Sequence, residues 1–186
     1  MSTPIILDCD PGHDDAVAIL LAVASPEIDL LAVTTCFGNC SIEDATRNAM
    51  RILTLAGATD VPVAQGADRP LEQALELGNY VHGKSGLDGP EMPEPAMMIS
   101  SLSAVEMMQH VISSSAVPVT MVVTGPMTNM AQLLRVHPNA AQNISEIVFM
   151  GGSTERGNHT PSAEFNTFAD PEALAEVIVS GIPLRM

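Results

Sequence analysis

Asp8-Cys9-Asp10-Pro11-Gly12-His13-Asp14-Asp15 follows the apolar run Pro4-Ile5-Ile6-Leu7. An apolar run that breaks at Pro-Gly and re-enters a helical period reads as a buried strand, a turn and a helix start. In open α/β sheets, ligands bind beyond the carboxyl ends of the strands, where this octad falls. Asp8 and Asp10, two apart on a strand, share a side, and Asp14 and Asp15 sit at the start of the helix. Capping and the helix dipole account for one acidic residue there, at up to about 1 kcal/mol. Four gathered carboxylates need more, because a pair at ~4 Å repels by roughly 4 kcal/mol at an effective dielectric near 20. A bound cation or bound protons must offset that repulsion. The donors on offer are oxygens, which suit calcium or magnesium rather than zinc. Cys36 and Cys40 have no matching Cys or His pair downstream that would complete a zinc site.

Working outward, apolar runs alternate with longer helical periods, the pattern of βαβ units and an open, mostly parallel, doubly wound sheet. Strands are expected at residues 4–9, 28–34, 61–64, 119–124 and 144–150. Helices are expected at 14–24, 42–56, 102–113, 128–136 and 171–179. Residues 66–100 are dense in Gly, Pro and acidic side chains and keep no period. An excursion of that length inside an α/β unit is expected to be functional, here an active-site loop. Ile182-Pro183-Leu184 opens one more strand. The 186 residues are expected to form one domain.

Aromatic residues make up 3% of the chain, so aliphatic side chains and 12 methionines must fill the core. The net charge of -15, with Lys84 the sole lysine, argues against nucleic acid or an anionic membrane as partner. No stretch reaches the roughly 20 apolar residues of a membrane span, and no leader precedes the first strand, which suggests a cytoplasmic protein. The three cysteines are expected to be free thiols.

The octad resembles the DxDPGxDD signature of the nucleoside hydrolases. Gly38-Asn39, Val81-His82-Gly83, Thr124-Gly125-Pro126 with Thr128-Asn129, Met150-Gly151-Gly152 and Gly157-Asn158 resemble further family motifs in the same order, as do Ala163-Glu164-Phe165-Asn166 and Asp170-Pro171-Glu172. The likeness runs through the whole chain and is greatest to the bacterial pyrimidine-preferring ribonucleoside hydrolases. It implies a Rossmann-like nucleoside hydrolase fold and an N-glycosidase of nucleoside salvage that splits a ribonucleoside into ribose and base. It also implies a Ca2+ cofactor, with Asp10 and Asp15 as ligands through carboxylate and Thr124 through its carbonyl. Asp10 is further implied as general base for a calcium-bound water. Asp14, Asn39, Glu164 and Asn166 would hold ribose hydroxyls, Asn158 and Met150 would line the sugar side, and His82 would lie near the base. A homo-oligomer, dimer or tetramer, is the assembly implied.

Taken singly, these residues have plainer readings: Glu164 and Asn166 as caps of the following helix, Asn39 as a turn residue, Met150 as core and His82 as a loop histidine. The resemblance covers only the first three-fifths of family members, whose C-terminal part supplies another aspartate ligand and a histidine near the base. The chain is therefore expected to be incomplete at its C-terminus, with an inactive calcium- or nucleoside-binding remnant as the alternative function. A phosphatase of the haloacid dehalogenase type also carries a strand-borne DxD, but Gly12 and the Asp14-Asp15 pair are foreign to that pattern.

Overall fold

A computed structural model describes residues 2–89 and 91–186. Met1 and Pro90, the latter within the 66–100 excursion, lie outside the described residues. The octad's strand is β1, Thr3–Cys9, followed by α1, His13–Ala24. Next come β2 Ile28–Thr35, α2 Ile42–Leu55 and β3 Val63–Gln65. Among its described residues the excursion holds one short helix, α3 Asn79–His82. Then follow α4 Ala104–Ser114, β4 Val119–Val123, α5 Thr128–Val136 and a 3-10 turn over Pro138–Asn143. The last elements are β5 Ile144–Phe149, α6 Phe165–Ala169, α7 Pro171–Ile178 and β6 Leu184–Arg185.

The six strands form one open parallel sheet in the order β3-β2-β1-β4-β5-β6. The sheet is doubly wound, as expected. Alternation along each strand sends side chains to two separate cores. Ile6, Met121, Val123 and Ile147 pack with Met108 of α4, Met130 and Leu133 of α5 and Val177 of α7. Leu7, Cys9 and Val33 pack on the opposite face with Ile19 of α1 and Ala49, Ile52 and Leu53 of α2. This double coverage is why Ile5 to Cys9 are all buried and β1 reads as a continuous apolar run.

Local signals set the helix boundaries. Ser41 accepts from the Asp44 N–H, and Ser103 and Glu106 cap each other's backbone N–H groups. Asp170 accepts from the Ala173 N–H ahead of Pro171, which needs no hydrogen-bond partner at its position. The strand order reverses between β1 and β4, so the loops after their carboxyl ends diverge and leave a crevice. Asp10 leaves one of these strands and Thr124 the other.

Candidate active site

The crevice at the switch point is a cleft of about 190 Å³. Asp14, Asn39, His82, Thr124, Met150, Asn158 and Asn166 all line it, together with Gly78, Tyr80, Val81 and Phe165. Seven residues singled out in sequence thus meet on one surface. A larger hollow of about 330 Å³ lies beside Pro4, Leu31 and His110, but no buried carboxylate faces it, so the chemistry favours the smaller cleft.

Asp10 lies beneath the lining, fully buried. Its Oδ2 accepts from the Asn39 N–H at 2.7 Å, while its Oδ1 is buried without a hydrogen-bond partner among the described residues. Two glycines make room for this carboxylate. A Cβ on Gly38 would collide with Asp10 Oδ2, and one on Gly125 would stand 2.9 Å from Oδ1. Asp15 is also buried. Its Oδ1 accepts from the Thr124 hydroxyl at 2.5 Å, and its Oδ2 from the Gly12 N–H at 3.2 Å and from Asn39 Nδ2 at 3.4 Å. Burial pushes the Asp10 carboxyl well above the usual range, and Asp15 nearby pushes it further. Burial likewise raises Asp15 to about 6 against the pull of the Thr124 hydroxyl. The orphaned Asp10 oxygen, the glycine cradle and the all-oxygen donor set fit a hard divalent cation.

The expected convergence of four carboxylates is corrected. Among the described residues no group of three or more His, Cys, Asp or Glu side chains converges as a metal cluster. Asp8 shares a side with Asp10, but a strand advances about 3.3 Å per residue, so Asp8 stays inside the sheet. There its Oδ1 accepts from Thr34 Oγ1 at 2.7 Å and Asn129 Nδ2 at 2.8 Å, and burial raises its carboxyl to about 7. Asn129 also holds the Thr35 carbonyl and the Ala67 N–H, fastening the start of the long excursion to β2. Asp14 diverges from Asp15 because adjacent helical residues point about 100° apart. Its side chain is 71% exposed at the cleft mouth, with Oδ1 3.6 Å from His82 Nε2.

His82 is held from behind by the His13 backbone N–H, 3.4 Å from its Nδ1. Asn166 Nδ2 donates to the Thr124 carbonyl at 2.7 Å and the Met150 carbonyl at 3.2 Å, which joins the ends of β4 and β5 and leaves its side-chain oxygen uncommitted. Asn158 Oδ1 accepts from the Phe165 N–H at 2.8 Å. Glu164 is engaged by backbone N–H groups. Its carboxylate accepts from the N–H groups of Asn166, Thr167 and Gly152 at 2.9, 3.1 and 3.3 Å, and it does not line the cleft. It caps α6 and so fixes Asn166. The sequence reading missed Tyr80, Val81 and Phe165 as wall residues. The hints were the motifs Val81-His82-Gly83 and Ala163-Glu164-Phe165-Asn166, since helices as short as α3 and α6 display no periodicity.

The glycine cradle has a direct consequence. Gly38→Ala is expected to destabilise the chain by about 1–3 kcal/mol, because the new methyl has only the buried Asp10 carboxylate to displace. Chemical denaturation of the variant checks it, and a change below half a kcal/mol would mean that the carboxylate is free to move.

Open parallel sheet, switch-point crevice and buried carboxylate floor together define a Rossmann-like α/β protein with an acidic site for a polar ligand. The sequence profile of the inosine-uridine preferring nucleoside hydrolases matches residues 5–186, and the chain belongs to that family. It is 55% identical over all 186 residues to the pyrimidine-specific ribonucleoside hydrolase RihA of Photobacterium profundum, and 54% identical to that of Escherichia coli. It spans 60% of the length of these relatives. Among solved structures, the purine-preferring ribonucleoside hydrolase from Gardnerella vaginalis superimposes with a TM-score of 0.93 at 34% identity, covering 98% of this chain and 59% of that one. The plant nucleoside hydrolase PpNRh1 gives 0.89 at 32%, with 99% and 59% covered. Among the described residues no helix is long and apolar enough to cross a membrane.

Proposed function

We propose that the cleft binds a ribonucleoside and cleaves its N-glycosidic bond to give ribose and free base, with Ca2+ held by the carboxylates of Asp10 and Asp15 and the carbonyl of Thr124. The observation that carries this reading is the buried Asp10 oxygen that lacks a partner at the cleft floor. Family membership and the relatives named for ribonucleoside hydrolysis support it. Bound there, calcium supplies orientation and acidification of a water molecule. Asp10, ionised beside the cation, takes the proton of the attacking water. The Asn39 N–H and the Gly38 and Gly125 backbones keep its carboxylate from turning away.

Asp14, Asn39 and Asn166 hold the ribose hydroxyls, while Met150 and Asn158 shape the sugar side. Glu164 contributes by fixing Asn166 at the start of α6. Positive charge develops on the sugar as the bond to the base breaks, and the carboxylates beneath and beside it stabilise that charge, while the base leaves with the bond's electron pair and takes its proton from solvent at the cleft mouth. A cleft of about 190 Å³ falls short of the roughly 300–1,000 Å³ usual for a whole small-molecule site. It suits a pentose, with the base projecting toward His82 and Tyr80 at the mouth.

A second reading is favoured by the 60% coverage of the relatives: a calcium- and nucleoside-binding chain without turnover. Incubating the calcium-loaded chain with uridine, cytidine or inosine separates the two. Equimolar release of reducing sugar and base is the result expected. Calorimetric binding of ribose without release supports the second reading, and neither binding nor release sinks both.

A further inference from the structure

The cleft has two outer walls that are distant in sequence. One is built on α3 and presents Gly78, Tyr80, Val81 and His82; the other presents Asn158 and Phe165. The first is tied to the body of the protein by the Gly78 N–H, which donates to the Gly38 carbonyl at 2.8 Å, and by the contacts of His82 with His13. Between the walls stands His159, which none of the chemistry above uses. Tyr80 Oη lies 2.8 Å from its Nδ1, and Glu76 Oε1 lies 3.2 Å from its Nε2. Its ring rests against Phe168, with centroids 4.2 Å apart, and meets the edge of Phe165 at 5.5 Å. A neutral imidazole with its proton on Nε2 satisfies both polar contacts at once, donating to Glu76 and accepting from the Tyr80 hydroxyl. The ring is therefore held at both nitrogens and packed against two phenylalanines of α6, although none of its neighbours belongs to the sheet.

We propose that His159 is a positioning residue that clamps residues 76–80 onto residues 158–165 and so sets the spacing of the two walls around the ligand. The nature of that ligand rests on the nucleoside reading above; the clamp itself does not. His159 adjoins Asn158, whose side chain lines the cleft and holds the Phe165 N–H, so a shift of the imidazole is passed directly to the sugar side. On the other wall, Tyr80 precedes His82 by two residues within one short helix, so freeing its hydroxyl loosens the base side.

The chain offers a direct reporter, because Tyr80 is its single tyrosine and it has no tryptophan. The test compares the 186-residue chain with His159→Ala, Tyr80→Phe and the double variant. Amide exchange over residues 76–83 is followed by mass spectrometry, and ribose and calcium binding by calorimetry. Each single variant is expected to speed exchange there several-fold and to weaken ribose binding about tenfold. The double variant should be no more than about twofold worse than His159→Ala, since both changes break one connection. Calcium affinity should stay within about twofold, and Tyr80 emission should change in His159→Ala. Tyr80→Phe keeps the ring and deletes only the hydroxyl, so its result does not depend on whether the histidine variant folds. Unchanged exchange over 76–83 in the single variants, or full additivity in the double, would overturn the clamp. Absence of ribose binding by the unaltered chain would sink the nucleoside reading, while exchange would still decide the clamp.

Discussion

Asp10→Asn is expected to lower sugar release by about 10² to 10⁴, the scale of a lost general base. The substitution preserves shape. The amide oxygen can still accept from the Asn39 N–H, leaving the amide nitrogen where Oδ1 now has no partner. Charge and basicity are lost, while the packing against Gly38 and Gly125 is kept. Burial and Asp15 already favour the neutral carboxyl, which the amide resembles, so the metal-free fold should be retained at neutral pH. Circular dichroism and thermal melting would separate loss of chemistry from loss of structure. A folded variant that retains release within about tenfold of the original would remove Asp10 from the role of base.

Without calcium, stability should fall as pH rises from about 4 to about 8. Asp8 and Asp15 carry carboxyls raised from 3.8 to about 7 and about 6 in the folded chain, both chiefly by burial. Between the unfolded and folded values the native state holds protons that the unfolded chain has released. Each additional pH unit in that window therefore favours unfolding. The contribution is complete below about pH 4 and is lost as pH passes through about 6 for Asp15 and about 7 for Asp8. For Asp8 alone the change is on the order of 4 kcal/mol, and Asp10 acts in the same direction. Calcium should raise the melting temperature strongly at pH 8 and little at pH 5, where protons compete for the same oxygens. Asp8→Asn should flatten the slope between pH 5 and 7. A metal-free chain that grows more stable between pH 5 and 8 would contradict this electrostatic account.

The parts of the fold legible in sequence were those with a strong period or a strong cap. Residues 128–136 are helical as expected, and Ile42, Ala45, Ala49, Ile52 and Leu53 mark the buried stripe of α2. The 3-10 turn over Pro138–Asn143 and the five-residue α6 were missed, since neither is long enough to display a period. In α6 the cap is Glu164, a residue type outside the preferred N-cap set, so the start signal was weak. The crevice was legible because the octad and Thr124 each follow an apolar strand. What alternation could not convey was depth. Parity put Asp8 and Asp10 on one side correctly, but two residues of strand separate a carboxylate inside the sheet from one at its end. The 14–15 pair was likewise counted as one feature, although a helix turns one residue toward the floor and its neighbour toward the mouth. His159 shows a further limit, because its partners lie 79 and 83 positions away on a segment without pattern.

The central claim is that Asp10 and Asp15 form the floor of a calcium and ribose site. Calorimetric titration of the metal-free chain with calcium at pH 7.5 or so, followed by ribose, tests it most directly. A single calcium site is expected, with protons released on binding, since burial and Asp15 keep the Asp10 carboxyl raised. Calcium binding should be lost in Asp10→Asn and Asp15→Asn, and ribose binding should depend on the metal. Calcium binding that survives both substitutions, or ribose binding indifferent to calcium, would contradict the account.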